Sequence, residues 1–221
     1  MNIPPPETIA AIAIVIFLAI GLHEYAHCKM ADAAGDPTPA MYGRVTLNLT
    51  KHFEPLGTMM IFFTSLTGFG IGWGRPAPMD PRKMKNPRWD FFAAVAAGPI
   101  SNVLQAAVWA VFLRLGVAGG LQHAGGAALF LIDLFTYGVL INLSLCFFNL
   151  VPLGPLDGHW LLGTFLPEPT RVRWYIWNRR VGTTALIALI LIGQFSGTPI
   201  LGAVIFPAVR ATFRFFTGVP F

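Results

Sequence analysis

Ala19-Ile20-Gly21-Leu22-His23-Glu24-Tyr25-Ala26-His27-Cys28-Lys29-Met30 is the stretch on which the reading of this chain turns. Upstream of it, Thr8 to Leu22 is an uncharged run dominated by Ile, Ala, Val, Leu and Phe. That run alone is too short for a bilayer, which takes roughly 20 apolar residues at about 1.5 Å each. The crossing is completed only if the helix continues through His23, Glu24 and His27 to about Lys29. A carboxylate and two imidazoles then sit at membrane depth, near one face, where ionisable groups are costly and usually functional. His23 and His27 are one helical turn apart and share a face. Glu24 lies about 100° round from His23, beside that face. This is the H-E-x-x-H arrangement, in which two histidines ligate zinc and a glutamate acts as general base. A helix end whose polar groups merely reach interfacial water accounts for one histidine and a lysine, but not for this spacing.

Composition agrees with a chain built for lipid. Of the 221 residues 55% are hydrophobic and only 11% charged, with a mean hydropathy of +0.63, so a multi-spanning membrane protein is expected and no separate soluble domain. The net charge of +5 does not call for nucleic acid, because the basic residues fall in loops between apolar runs. Cys28 and Cys146 both lie within apolar segments, which argues against a disulfide framework. Met1 to Ala10 carries no Lys or Arg, so a cleavable signal peptide is not expected.

Beyond the first helix the chain alternates between loops and spans. Residues 31–55 are polar and broken by Gly35, Pro37 and Pro39, and within them Arg44 to Thr50 alternates with a period of two, as a half-exposed strand does. Leu56 to Ile71 is apolar but rich in glycine and runs into Gly72-Trp73-Gly74-Arg75-Pro76-Ala77-Pro78. Phe91–Leu115, Ala127–Phe148, Val181–Phe195 and Ile200–Phe216 read as further spans. The expected fold is an all-α polytopic membrane protein with about five to six transmembrane or re-entrant helices and a small membrane-associated β element after the first. Residues 1–221 read as a single domain, with a core over 8–165 and two C-terminal helices over 181–216. Charge sets the orientation: Lys29, Arg44, Lys51, Arg75, Arg82, Lys83, Lys85 and Arg88 place both ends of residues 31–90 in the cytoplasm. Residues 56–78 then either dip in and return or lie along the surface. By the same parity Arg171, Arg173, Arg179, Arg180, Arg210 and Arg214 join them, with Arg114 alone outside.

A catalytic zinc site takes three protein ligands and leaves one position open. Asp157, just after the third span, is the only later carboxylate in or immediately after an apolar run that parity brings to the depth of His23 and His27. Asp133 lies near the outer end of its helix and Glu168 beyond Pro167. The competing reading makes Asp157 an N-cap for the helix that starts there.

Asn149-Leu150-Val151-Pro152-Leu153-Gly154-Pro155-Leu156-Asp157-Gly158, taken with His23-Glu24-Tyr25-Ala26-His27, resembles the site-2 protease family of intramembrane zinc metalloproteases, peptidase family M50. That family pairs HExxH with NxxP…(L)DG, and Gly98-Pro99 with Asn102 is similar to its GPxxN helix. Gly35-Asp36-Pro37-Thr38, the Arg44–Asn48 stretch and residues 72–78 look like its minimal bacterial branch. The resemblance covers most of residues 8–165. It implies a Zn2+ endopeptidase in the bacterial inner membrane, active near the cytoplasmic face, that cuts single-span transmembrane proteins within or near their helices. It also suggests Asn149 or Asn102 as holders of the extended substrate backbone, beside the plainer reading of an interhelical hydrogen bond. Glu24 is expected to act as base and then acid, and a substrate segment could add to the Arg44–Thr50 strand as an edge. A zinc-binding transporter is the rival, but further intramembrane acids or repeated half-structures are not visible. A catalytically silent scaffold is disfavoured by the presence of Glu24 and the whole ligand set. His52 and His123 read as solvated loop residues, and His159 is given no role.

Overall fold

The structure, a computed structural model, describes residues 4–57, 59–60, 63 and 74–219. Among these, five helices are long and apolar enough to cross a membrane: α1 Pro6–Ala33, α2 Trp89–Ala118, α3 Ala127–Asn149, then, after the short α4 Asp157–Phe165, α5 Thr170–Ser196 and α6 Ile200–Thr217. Most of residues 56–78, and with them the choice between a dip and a surface path, lies outside the described residues.

α1 opens with Pro6 and Glu7 in its first turn, where a missing N–H costs nothing and a negative charge suits the helix dipole. At 28 residues it is about 42 Å long, well over the roughly 30 Å of a hydrocarbon core. That surplus lets the His23–Lys29 end remain helical. Gly35, with φ +102°, stops it.

α1, α2 and α3 form the central packing unit, and small residues let them approach. Ala11, Ala19, Ala94 and Ala106 are fully buried along their contacts. At Gly138 on α3 a Cβ would lie 2.4 Å from Cγ of Trp109, so the indole packs onto bare backbone. At the end away from His23, Thr8 donates a hydrogen bond to Asp133, tying α1 to α3.

α6 lays Ile205, Val209 and Phe213 against Ala106, Ala110 and Leu113 of α2 and Val139 and Leu143 of α3. Arg114 Nε donates to the Thr217 carbonyl at 3.0 Å, satisfying one of the carbonyls that a helix end leaves open. α6 therefore runs parallel to α2 and ends far from the site, which corrects the charge-parity expectation for Arg210 and Arg214. α5 also starts at the site end, where Trp174 Nε1 donates to His159 O at 2.8 Å and Gly154 N to Asn178 Oδ1 at 2.8 Å. The alternation that parity assumes thus fails for this pair.

The loop after α1 holds a second correction. No strand occurs among the described residues, and the Arg44–Thr50 stretch consists of bends that wind into a 3-10 turn over Leu49–His52. Asn48 N donates to Thr46 Oγ1 at 3.1 Å and Thr50 Oγ1 to Asn48 Oδ1 at 2.6 Å. Such local bonds compete with a ladder, and no partner strand is present among the described residues to outbid them. Nor is His52 solvated: it is wholly buried, and its Nε2 donates to Thr46 O at 3.0 Å while Nδ1 accepts from Arg44 Nε at 3.4 Å. Arg44 Nη2 also donates to Arg75 O at 2.7 Å, so the buried guanidinium clamps the 74–76 backbone beside α1. His123 is exposed, as expected.

Candidate metal centre

His23 and His27 leave the same face of α1, one turn apart, and α2 crosses over them at Gly98. A Cβ on Gly98 would sit 2.3 Å from His27 Nε2 and 2.7 Å from His23 Cε1, so only glycine lets the helices meet there. Asp157 arrives at the start of α4, carried by the loop that ends α3. His23 Nε2 and His27 Nε2 are 3.0 Å apart, and each is 3.4 Å from Asp157 Oδ2. A tetrahedral ion with bonds of about 2.0–2.1 Å separates its ligands by about 3.3–3.4 Å. The two edges to Asp157 have that length, and the edge between the imidazoles, at 3.0 Å, is slightly shorter.

Proton positions sharpen the point. His27 Nδ1 lies 2.8 Å from the Ala94 carbonyl, which can only accept, so Nδ1 carries a proton and Nε2 is the nitrogen turned to the cluster. His23 Nδ1 lies 2.6 Å from Asn102 Oδ1, with the same consequence. Asn102 is oriented by its own amide, whose nitrogen donates to Ala19 O at 3.3 Å and Asn142 Oδ1 at 3.0 Å. Two imidazole Nε2 atoms and the otherwise unpartnered, buried Asp157 Oδ2 therefore converge. A metal cation satisfies three such atoms facing one another, and they lie close enough to hold one. The donor set of two imidazoles and a carboxylate is of the kind that zinc takes in catalytic sites. Glu24 lies in the same helical turn, with its Oε2 buried and unpartnered. Gly74 passes next to it, where a Cβ would be 3.5 Å from Glu24 Oε1.

Asn102 has partners on both sides of its helix. It is fully buried, with both N–H groups donating to Ala19 O and Asn142 Oδ1 and Oδ1 facing His23 Nδ1. The interhelical reading holds for it. Asn149, at the end of α3, is partly buried and donates one hydrogen bond to Leu145 O at 3.0 Å. The Asp157 N-cap reading fails, because the cap position is Leu156 and Asp157 is the first residue inside the helix. Sequence reasoning missed Asn142 and the Ala94 carbonyl. An Asn in the middle of an apolar span was a visible signal for the first; a backbone oxygen carries none.

Several helices apolar enough to span and a buried His–His–carboxylate cluster at one end are the architecture and donor set of a membrane metalloprotein. The chain belongs to peptidase family M50, whose sequence profile matches residues 117–193. It is 34% identical over 169 residues to the Bacillus subtilis (strain 168) protein named "Putative zinc metalloprotease YwhC", an overlap that covers 76% of this chain and 75% of that one. No solved structure matches. The chain is thus a metalloprotease whose metal is zinc.

Proposed function

We propose that this zinc metalloprotease is an intramembrane endopeptidase acting on single-span transmembrane proteins, with His23, His27 and Asp157 holding the zinc and Glu24 as the proton carrier. The observation that carries the reading is the convergence of His23 and His27 Nε2 with Asp157 Oδ2 beside the unpartnered Oε2 of Glu24, at one end of a helix otherwise apolar enough to span. Zinc bound there lowers the pKa of water to about 7 and polarises the scissile carbonyl.

The chain's own residues do the rest. Glu24 accepts the proton of the attacking water and returns it to the departing amine nitrogen, first as base and then as acid. Gly74 and the backbone that Arg44 clamps beside it limit the open side of Glu24. Asn149 retains amide groups for an extended substrate, which a transmembrane helix becomes only after local unwinding. The family resemblance supports a bacterial inner-membrane protein with its site near the cytoplasmic face, and residues 1–221 acting as one protease domain.

Glu24→Gln tests the chemistry. The variant is nearly isosteric, so it should fold and retain zinc, yet lose cleavage of transmembrane substrates in proteoliposomes by about 10²–10⁴-fold. A zinc-loaded variant that cuts at the wild-type rate would sink the assignment.

A further inference from the structure

Asn142 lies in the middle of α3, wholly buried, and bonds to none of the three converging side chains. An amide there is costly unless its groups are paired. Its partners have a direction. Nδ2 donates to Gly138 O at 2.8 Å, a carbonyl that can only accept, so Oδ1 is the atom presented to α2. Oδ1 accepts from Asn102 Nδ2 at 3.0 Å, which turns Asn102 Oδ1 towards His23 Nδ1 at 2.6 Å. Each bond leaves the next amide or ring one orientation. The second donor contact of Asn102, to Ala19 O, is 3.3 Å long, beyond the usual 2.7–3.2 Å of an N–H···O bond, so Asn142 is the closer anchor.

We propose that Asn142 is a positioning residue of the metal centre, holding through Asn102 the His23 tautomer that offers Nε2 as a ligand. The inference rests on His23 being a zinc ligand. Without Asn142, Asn102 is free to flip. A flipped amide donates to His23 Nδ1, places the imidazole proton on Nε2 and removes that atom from the ligand set. Outer partners of a ligating histidine typically account for about 10–100-fold in metal affinity.

The test is zinc affinity of the full-length protein in detergent, by competition with a chromophoric chelator, together with the visible spectrum of the cobalt-loaded form. Asn142→Leu should weaken zinc by about 10–100-fold and alter the cobalt spectrum. Asn142→Asp should recover most of both, because either charge state of a carboxyl still accepts from Asn102 Nδ2. The double variant with Asn102→Leu should be no weaker than Asn102→Leu alone, since the two act in series. Leu143→Ala, at a wholly buried neighbour, should lower thermal stability and leave zinc affinity unmoved. If Asn142→Leu does not fold, Asn142→Ala against Asn142→Asp gives the same comparison. The proposal is overturned if the apolar variants bind zinc as tightly as wild type, if Asp fails to rescue, if the losses multiply, or if Leu143→Ala loosens the metal equally. A wild-type protein that binds no zinc would instead refute the site itself.

Discussion

Two histidines of this chain differ in fate because of what faces them. His27 turns its proton onto the Ala94 carbonyl and keeps a lone pair for the cluster. His52, wholly buried 25 positions on, bonds to Thr46 O and to the permanently charged Arg44. Burial pushes the pKa of His52 below its ordinary value of 6.5; the Thr46 carbonyl opposes this and the Arg44 charge adds to it. The folded protein therefore binds this proton less readily than the unfolded chain. Stability from a neutral His52 is present above about pH 6.5 and declines as pH falls below that value, towards the lower folded pKa. In chelator, which removes the metal site's own proton dependence, wild type should lose thermal stability between pH 7 and pH 5 more steeply than His52→Gln. The limit is one proton, about 1.4 kcal/mol per pH unit. Equal slopes would show that His52 is not held neutral by its surroundings.

At the scale of helices, direction is decided by packing contacts. The buried stripe of α6, with Arg114 on its last turn, sends that helix the same way as α2. Charge counting sends it the other way. In a protein with Cys28 and Cys146 replaced, single cysteines at Lys85 and Val219 should label from opposite sides of the membrane. Labelling from one side would restore the parity argument and leave the Arg114–Thr217 contact without a membrane-compatible explanation. The loop after α1 teaches a related lesson. Residues 44–50 alternate like a strand, but alternation specifies only which side chains point together, and a strand also needs a neighbour to bond with. Among the described residues Arg44 instead donates to the Arg75 and Pro76 carbonyls.

In the whole molecule the metal centre joins α1 to α4, and α4 follows directly on the loop that ends α3. Zinc held there would cross-link elements distant in sequence and should stabilise the fold by mass action, about 4.1 kcal/mol when free zinc is 1,000 times its Kd. Adding a strong chelator should lower the unfolding temperature of wild type in detergent. Asp157→Ala, already lacking the third ligand, should show little further change. A wild-type unfolding temperature indifferent to chelator would mean that the three donors do not hold a metal.

Much of this was legible from residues alone. The polar end of an otherwise apolar helix, the four-residue spacing of His23 and His27, and an Asp at matching depth after a later span name the three side chains that the fold brings together, because helical periodicity and bilayer thickness translate directly into position. The five apolar helices follow from the same arithmetic. Tertiary structure alone decided which nitrogen each imidazole turns to the cluster, that Asn102 bonds to His23, that His52 is buried, and which way α6 runs. These depend on which acceptor or small residue faces a side chain across a helix interface, and sequence spacing sets the faces of one helix without naming what another brings to them.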